Sequence, residues 1–200
     1  MLRAADRLKG MGIGSLFLAL FGGLWMVAAL NTLSWVWLVA CDFVPASLLA
    51  VRAISMIVSS HELAALEPEP SPSEQQRARR MGRRFGLVVA VEFGLIALAA
   101  NLLAARGQAA WTLAAIAFIV GVHFIPLARI YRFRLYYWTG AVELALCALI
   151  SALMRQRIQM ADPLFGLAMG VSLWVTVVFV LAQGGRLFAI ARAEAAAPKS

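Results

Sequence analysis

Charge is what this chain has least of. Only 14% of its 200 residues are Asp, Glu, Lys or Arg, against about 25% in an ordinary soluble domain. No polar stretch is long enough to fold as a second, water-soluble unit; the longest connection, residues 59–84, joins two apolar runs. Cysteine is scarce as well. Cys41 and Cys147 both lie inside apolar runs, which excludes a disulfide framework and reads as two small core residues. The two histidines, His61 and His123, fall in a polar connection and in an apolar run, a poor geometry for bis-histidine haem. There is no HExxH, CxxC, P-loop, GxSxG or dinucleotide fingerprint, so the sequence assigns no catalytic residue, metal ligand or cofactor and gives no positive ground for an enzyme.

What remains is apolar: 62% of the residues, with a mean hydropathy of +0.83. It is organised into six runs of close to twenty residues, at 12–30, 34–56, 85–105, 109–128, 135–154 and 163–182. A helix needs roughly 20 apolar residues to cross about 30 Å of hydrocarbon. The expected fold is therefore all-α, one transmembrane domain of six spans in three tandem hairpins. Ser34 is a candidate N-cap for the second span, and Asp162 with Pro163 a cap and N1 proline for the sixth. Residues 59–84 read as a flexible cytoplasmic loop containing Pro68, Pro70 and Pro72, and 195–200 as a disordered tail.

Basic residues outnumber acidic ones, 18 to 10, for a net charge of +8 and a pI of 10.7. They flank spans, so topology accounts for them and nucleic acid is not among the expected partners. Arg3, Arg7, Lys9, Arg77, Arg79, Arg80, Arg83, Arg84, Arg129, Arg132, Arg134, Arg186, Arg192 and Lys199 fall on one side. Only Arg106, Arg155 and Arg157 fall on the other, with Arg52 inside or at the end of span two. The positive-inside rule puts both termini in the cytoplasm. Trp35, Trp37 and Trp111 near the outer boundary, and Tyr131, Tyr136, Tyr137 and Trp138 near the inner one, form the matching aromatic belts. The basic start and Val27-Ala28-Ala29 imitate a signal peptide, but the apolar run is longer than a usual one and reads as a retained span.

The hairpins look like copies of one unit. Ala90-Val91-Glu92 in span three lines up with Ala141-Val142-Glu143 in span five, and Asp42-Phe43-Val44-Pro45 in span two with His123-Phe124-Ile125-Pro126 in span four. Pro45 and Pro126 are expected helix kinks.

Ionisable groups at membrane depth cost about 2.5–3.5 kcal/mol each and normally face protein or water. Asp42, Glu92, His123 and Glu143 are four such groups. Counting along the spans, Glu92, His123 and Glu143 lie roughly 8–12 Å in from the cytoplasmic side, a shared layer. Carboxylates beside a histidine in a low dielectric can exchange protons near neutral pH. This motivates one expectation, a small proton- or ion-coupled transporter or permeation unit whose path runs through these four residues. The competing expectation is that they are interhelical glue in a structural or regulatory protein, worth about 0.6 kcal/mol per hydrogen bond. Gly166 and Gly170 in span six, and Ala19 and Gly23 in span one, are small-residue contacts of the same kind, and Asn101 is expected to bond a neighbouring helix. Arg129 and Arg52 are candidate contacts for an inner mouth or for lipid phosphates. Expected partners are the bilayer, a second copy of the chain or another membrane protein.

Gly121-Val122-His123-Phe124-Ile125-Pro126-Leu127-Ala128-Arg129, followed by Tyr136-Tyr137-Trp138-Thr139-Gly140, resembles a signature of uncharacterised small bacterial multi-span membrane proteins of about this length. The resemblance covers about twenty residues of spans four and five. It implies a bacterial inner-membrane location, brings no activity, and directs attention to the cytoplasmic end of that hairpin.

Overall fold

A computed structural model describes residues 3–32, 36–156 and 161–196. The regular structure among them is helical: α1 (Ala4–Thr32), α2 (Val36–Leu66), α3 (Pro72–Ala105), α4 (Thr112–Tyr131), α5 (Arg134–Arg155) and α6 (Ala161–Ala196), with a 3-10 turn at Ala109–Trp111 before α4. Each of the six carries a segment long and apolar enough to cross a membrane. Helices are the economical solution there, because a chain in hydrocarbon must satisfy every backbone N–H and C=O within the segment.

The helices differ in reach. α4 and α5, with 20 and 22 residues, are about 30–33 Å long, the thickness of the hydrocarbon itself. α1, α2, α3 and α6 have 29, 31, 34 and 36 residues and overrun it by about 15–25 Å. The expected loop at 59–84 is accordingly corrected: α2 continues to Leu66 and α3 starts at Pro72, leaving 67–71 as the connection. α2 continues because Leu63 packs with Ala5, Leu8 and Met56 in a small second core, and because Glu67 pairs with Arg3 at 2.8 Å while accepting from the Ala5 amide. α3 starts early because Ser71 caps it. The Glu74 amide donates to Ser71 Oγ, the Ser71 amide donates back to Glu74 Oε2, and Pro72 occupies the first turn. α6 starts at Ala161, so Asp162 and Pro163 lie inside its first turn rather than ahead of it. Ser34 and most of the tail at 195–200 fall outside the described residues, as do Trp35 and Arg157.

α1 lies between α2 and α6, antiparallel to both. Towards α2, Gly12 faces Ala53 and Ile57, and Gly23 faces Ala46 and Asp42. Towards α6, Gly22 faces Gly170 and Trp174, and Ala29 faces Gly166. The Gly166–Gly170 pair is where α1 and α6 come closest: a methyl group on either would sit 2.8 Å from a carbonyl oxygen of α1, Trp25 or Gly22. Trp174 closes the crossing by donating its indole N–H to the Ala19 carbonyl at 3.1 Å. In the other half α4 lies between α3 and α5, and α5 packs on α6. A Cβ on Gly140 would stand 2.8 Å from the Gly121 carbonyl oxygen, so these two glycines set the α4–α5 approach. The main core contains Phe124, Phe165, Met169, Leu173 and Val180. α3 is the outlier, with no buried residue.

Candidate functional site

The four ionisable residues fall in three places. Glu92 and His123 meet: Glu92 Oε1 lies 3.3 Å from His123 Nδ1, and both side chains are largely shielded, 11% and 14% exposed. Glu143 is elsewhere. It is fully buried and its Oε1 accepts from Ser172 Oγ of α6 at 2.8 Å, while its Oε2 has no partner among the described residues. One turn earlier on α5 and one turn later on α6, the Thr139 and Thr176 hydroxyls stand 2.9 Å apart. Asp42 is also apart, buried on α2 opposite Gly23 of α1, with Oδ1 unpartnered among the described residues. Glu143 keeps the expected depth, beside Gly121 of α4 two residues before His123, but of the four residues only Glu92 and His123 meet, and Glu143 and Asp42 are separate carboxyls. Depth along a helix follows from counting residues; which neighbour a face meets does not.

Local geometry fixes the pair. His123 Nδ1 is 2.8 Å from the Val120 carbonyl oxygen. A carbonyl only accepts, so this nitrogen carries a hydrogen, and Nε2 of the neutral ring is left as an acceptor. The ring leans on Phe124, with centroids 4.7 Å apart. Glu92 is held on α3 by its flanking aromatics: Phe85 meets Phe17 and Tyr131, and Phe93 meets Phe21.

These groups border a partly open cavity of about 60 Å³ between α1, α3, α4 and α5, walled by Phe17, Phe21, Trp25, Phe85, Phe124 and Tyr136 among others, with Glu92 and His123 on its surface. A water needs roughly 10–15 Å³ of such space, so there is room for a few. A drug-sized pocket is several hundred Å³. In this state the space fits water or a small ion beside a carboxylate and an imidazole. Two such ligands are fewer than a closed metal site needs, and among the described residues no group of three His, Cys, Asp or Glu side chains comes together.

The remaining candidates lie outside the cavity. Arg129 and Arg52 are both exposed. Helix α2 continues through Pro45 and α4 through Pro126. Asn101 bonds its own helix, donating Nδ2–H to the Ala97 carbonyl at 2.8 Å. Cys147 is buried and its thiol points at the Ala114 carbonyl, 3.3 Å away; the side chain of Cys41 is outside the described set. Two groups of residues were missed by sequence reasoning. The aromatic wall was signalled by Phe17, Phe21 and Trp25 at i, i+4 and i+8. Ser172 and Thr176 were signalled by the same four-residue spacing as Thr139 and Glu143. No protein-family model, curated protein or solved structure matches the chain.

Proposed function

We propose that this chain is a multi-pass protein of the bacterial inner membrane, three hairpins with both termini in the cytoplasm, that passes protons or a small cation through the Glu92–His123 site. The observation that carries the reading is the pairing of a carboxylate and an imidazole across two helices at a cavity large enough only for water or a small ion. A proton arriving at His123 Nε2 makes an imidazolium; the Nδ1 proton then leaves for Glu92 Oε1, and the ring returns to a neutral tautomer. The net result is one proton passed to Glu92, with the Nε2–H bond formed and the Nδ1–H bond broken. The ring must then turn over or exchange its proton to restore Nδ1–H toward the Val120 carbonyl before the next transfer. Intramembrane carboxylate–histidine pairs are the usual material of such relays. Glu143 has the other role. Its Ser172 bond and the neighbouring Thr139–Thr176 contact favour interhelical glue between α5 and α6.

The test is purified protein in liposomes with a pH-sensitive dye inside and an imposed potassium diffusion potential. Proton or cation flux is expected from the unmodified chain, to be lost in Glu92→Gln and in His123→Ala and retained in Glu143→Gln. Absence of flux across a panel of small cations, or flux untouched by Glu92→Gln, ends the reading.

A further inference from the structure

A second feature lies on the far side of α1 from the cavity. Pro45, Leu48 and Leu49 of α2 and Val171, Trp174, Val175, Val178 and Phe179 of α6 line an open groove of about 420 Å³, apolar throughout. On α2 the lining positions follow helical spacing, and the next position on that stripe is Arg52, four residues past Leu48 and three past Leu49. On α6 the stripe of Val175 and Phe179 leads, two turns on at seven residues past Phe179, to Arg186. α2 and α6 run parallel, since both are antiparallel to α1, so both arginines lie beyond the same end of the groove. Gly184 packs on Met56, which sets Arg52 about six residues, roughly 9 Å, deeper than Arg186. Arg52 and Arg186 are exposed. Neither has an acidic partner among the described residues, where the ion pairs are Arg3–Glu67 and His123–Glu92.

A cation at apolar depth with no counter-ion is costly unless its head reaches polar ground. Arg52 lies four residues before the end of its apolar run at residue 56, close enough to polar ground to do so by extending along its own helix. We infer that the groove is a binding site for one anionic phospholipid, with an acyl chain between α2 and α6 and the phosphate between Arg52 and Arg186. The apolar lining suits the chain and nothing polar, and two unpaired positive charges staggered above it suit an anionic headgroup. Charge complementarity at one end separates this from an ordinary lipid-facing surface, which would bind any acyl chain equally.

The experiment is native mass spectrometry of delipidated full-length protein re-exposed to phosphatidylglycerol or phosphatidylcholine with identical acyl chains, alongside thermal unfolding with each lipid added. The unmodified chain should retain one phosphatidylglycerol per protomer in preference to phosphatidylcholine, and phosphatidylglycerol should raise its melting temperature. Arg52→Gln should lower the preference by about five-fold, the share of one arginine near a charged headgroup, and should abolish the lipid-dependent rise in melting temperature. Arg52→Lys should keep most of both. Val175→Trp, which fills the groove, should release both lipids. If Arg52→Gln and the unmodified chain show the same preference, the proposal is wrong. It is equally wrong if Val175→Trp leaves lipid retention unchanged, or instead dissociates a dimer, since a second copy would then occupy the groove. Should Arg52→Gln fail to fold, the Arg52→Lys and Val175→Trp results still decide.

Discussion

Glu143 shows how little a buried carboxyl says by itself about function. Its Oε1 accepts from Ser172 and its surroundings are otherwise packed: it is fully buried, and a Cβ on Gly121 would lie 3.3 Å from its own. A glutamine keeps an oxygen able to accept the Ser172 hydrogen bond. Ser172→Ala leaves the carboxyl with nothing. Expected outcomes are a change within about 0.5 kcal/mol for Glu143→Gln and a loss of about 1 kcal/mol for Ser172→Ala, with a coupling of about 0.6–1.7 kcal/mol between Glu143→Ala, which removes the acceptor, and Ser172→Ala in a double-mutant cycle. Reversible unfolding in mixed micelles measures all three. A coupling near zero would remove Glu143 from the glue assignment. The sequence could not separate this residue from Glu92, because Ala-Val precedes both positions at comparable depth. Helical periodicity says which residues share a face. It does not say that the face of α3 meets an imidazole and the face of α5 a serine.

At the scale of the helices, length and close approach decide the behaviour. α3 has no buried residue, and its hold on the bundle combines the Glu92–His123 pair and the ring contacts of Phe85 and Phe93 with Val88 packed against the main core. Gly94 of α3 has open space where its Cβ would be, whereas Gly140 of α5 faces the Gly121 carbonyl oxygen at 2.8 Å and Phe124 Cβ at 3.0 Å. Gly94→Ala should therefore be neutral or stabilising by up to about 0.5–1 kcal/mol, through backbone entropy alone. Gly140→Val should destabilise by about 1–3 kcal/mol, because backbone rather than a side-chain tip must move. Equal melting temperatures for the two variants would contradict the α4–α5 packing.

The start of α3 gives a pH-dependent counterpart. Glu74 lies in the polar stretch ahead of the apolar span, and the Ser71 backbone amide and hydroxyl hold its carboxylate below the usual range. A depressed value in the folded state contributes stability above the unfolded value, lost as pH falls through the folded one. Protection factors of the first-turn amides of α3, taken relative to intrinsic exchange at each pH, should fall in that acidic window and in Ser71→Ala at neutral pH, while those of α4 hold. These helix ends were readable in part. Ser71, Pro72 and Glu74 form a capping box visible in the sequence, but the prolines and glutamates around them read as a loop. The contact of Leu63 with Ala5 and Leu8, which holds α2 together past its apolar run, lies across the fold and leaves no local mark.

For the whole molecule, the helix pairing puts the ends of α1, α2, α3 and α6 that overrun the hydrocarbon on one side, where most of the arginines are. Arg3 pairs with Glu67 there, and Leu8 packs near Gly184. The same side carries Arg77, Arg79, Arg80, Arg83 and Arg84 of α3 and the C-terminal part of α6 with Arg192. At the opposite end Gly107, with a φ of 68°, makes the turn between α3 and the 3-10 segment, beside Arg106. The six apolar runs and their alternating charge were legible because hydrocarbon thickness and insertion charge act on composition alone. Which helix lies beside which was not, because α1 and α6, the first and the last, cross through glycines that pattern cannot pair. If the arginine-rich side is cytoplasmic, a cysteine at Pro70, in the short connection, should react with a membrane-impermeant maleimide only in inverted vesicles. A cysteine at Gly107 should react only in intact spheroplasts. Both would be introduced with Cys41 and Cys147 replaced by alanine. The reverse pattern would invert the molecule, carrying Glu92 and His123 from the inner to the outer half of the membrane and reversing the side from which protons reach them, while the pairing of the helices stayed as it is.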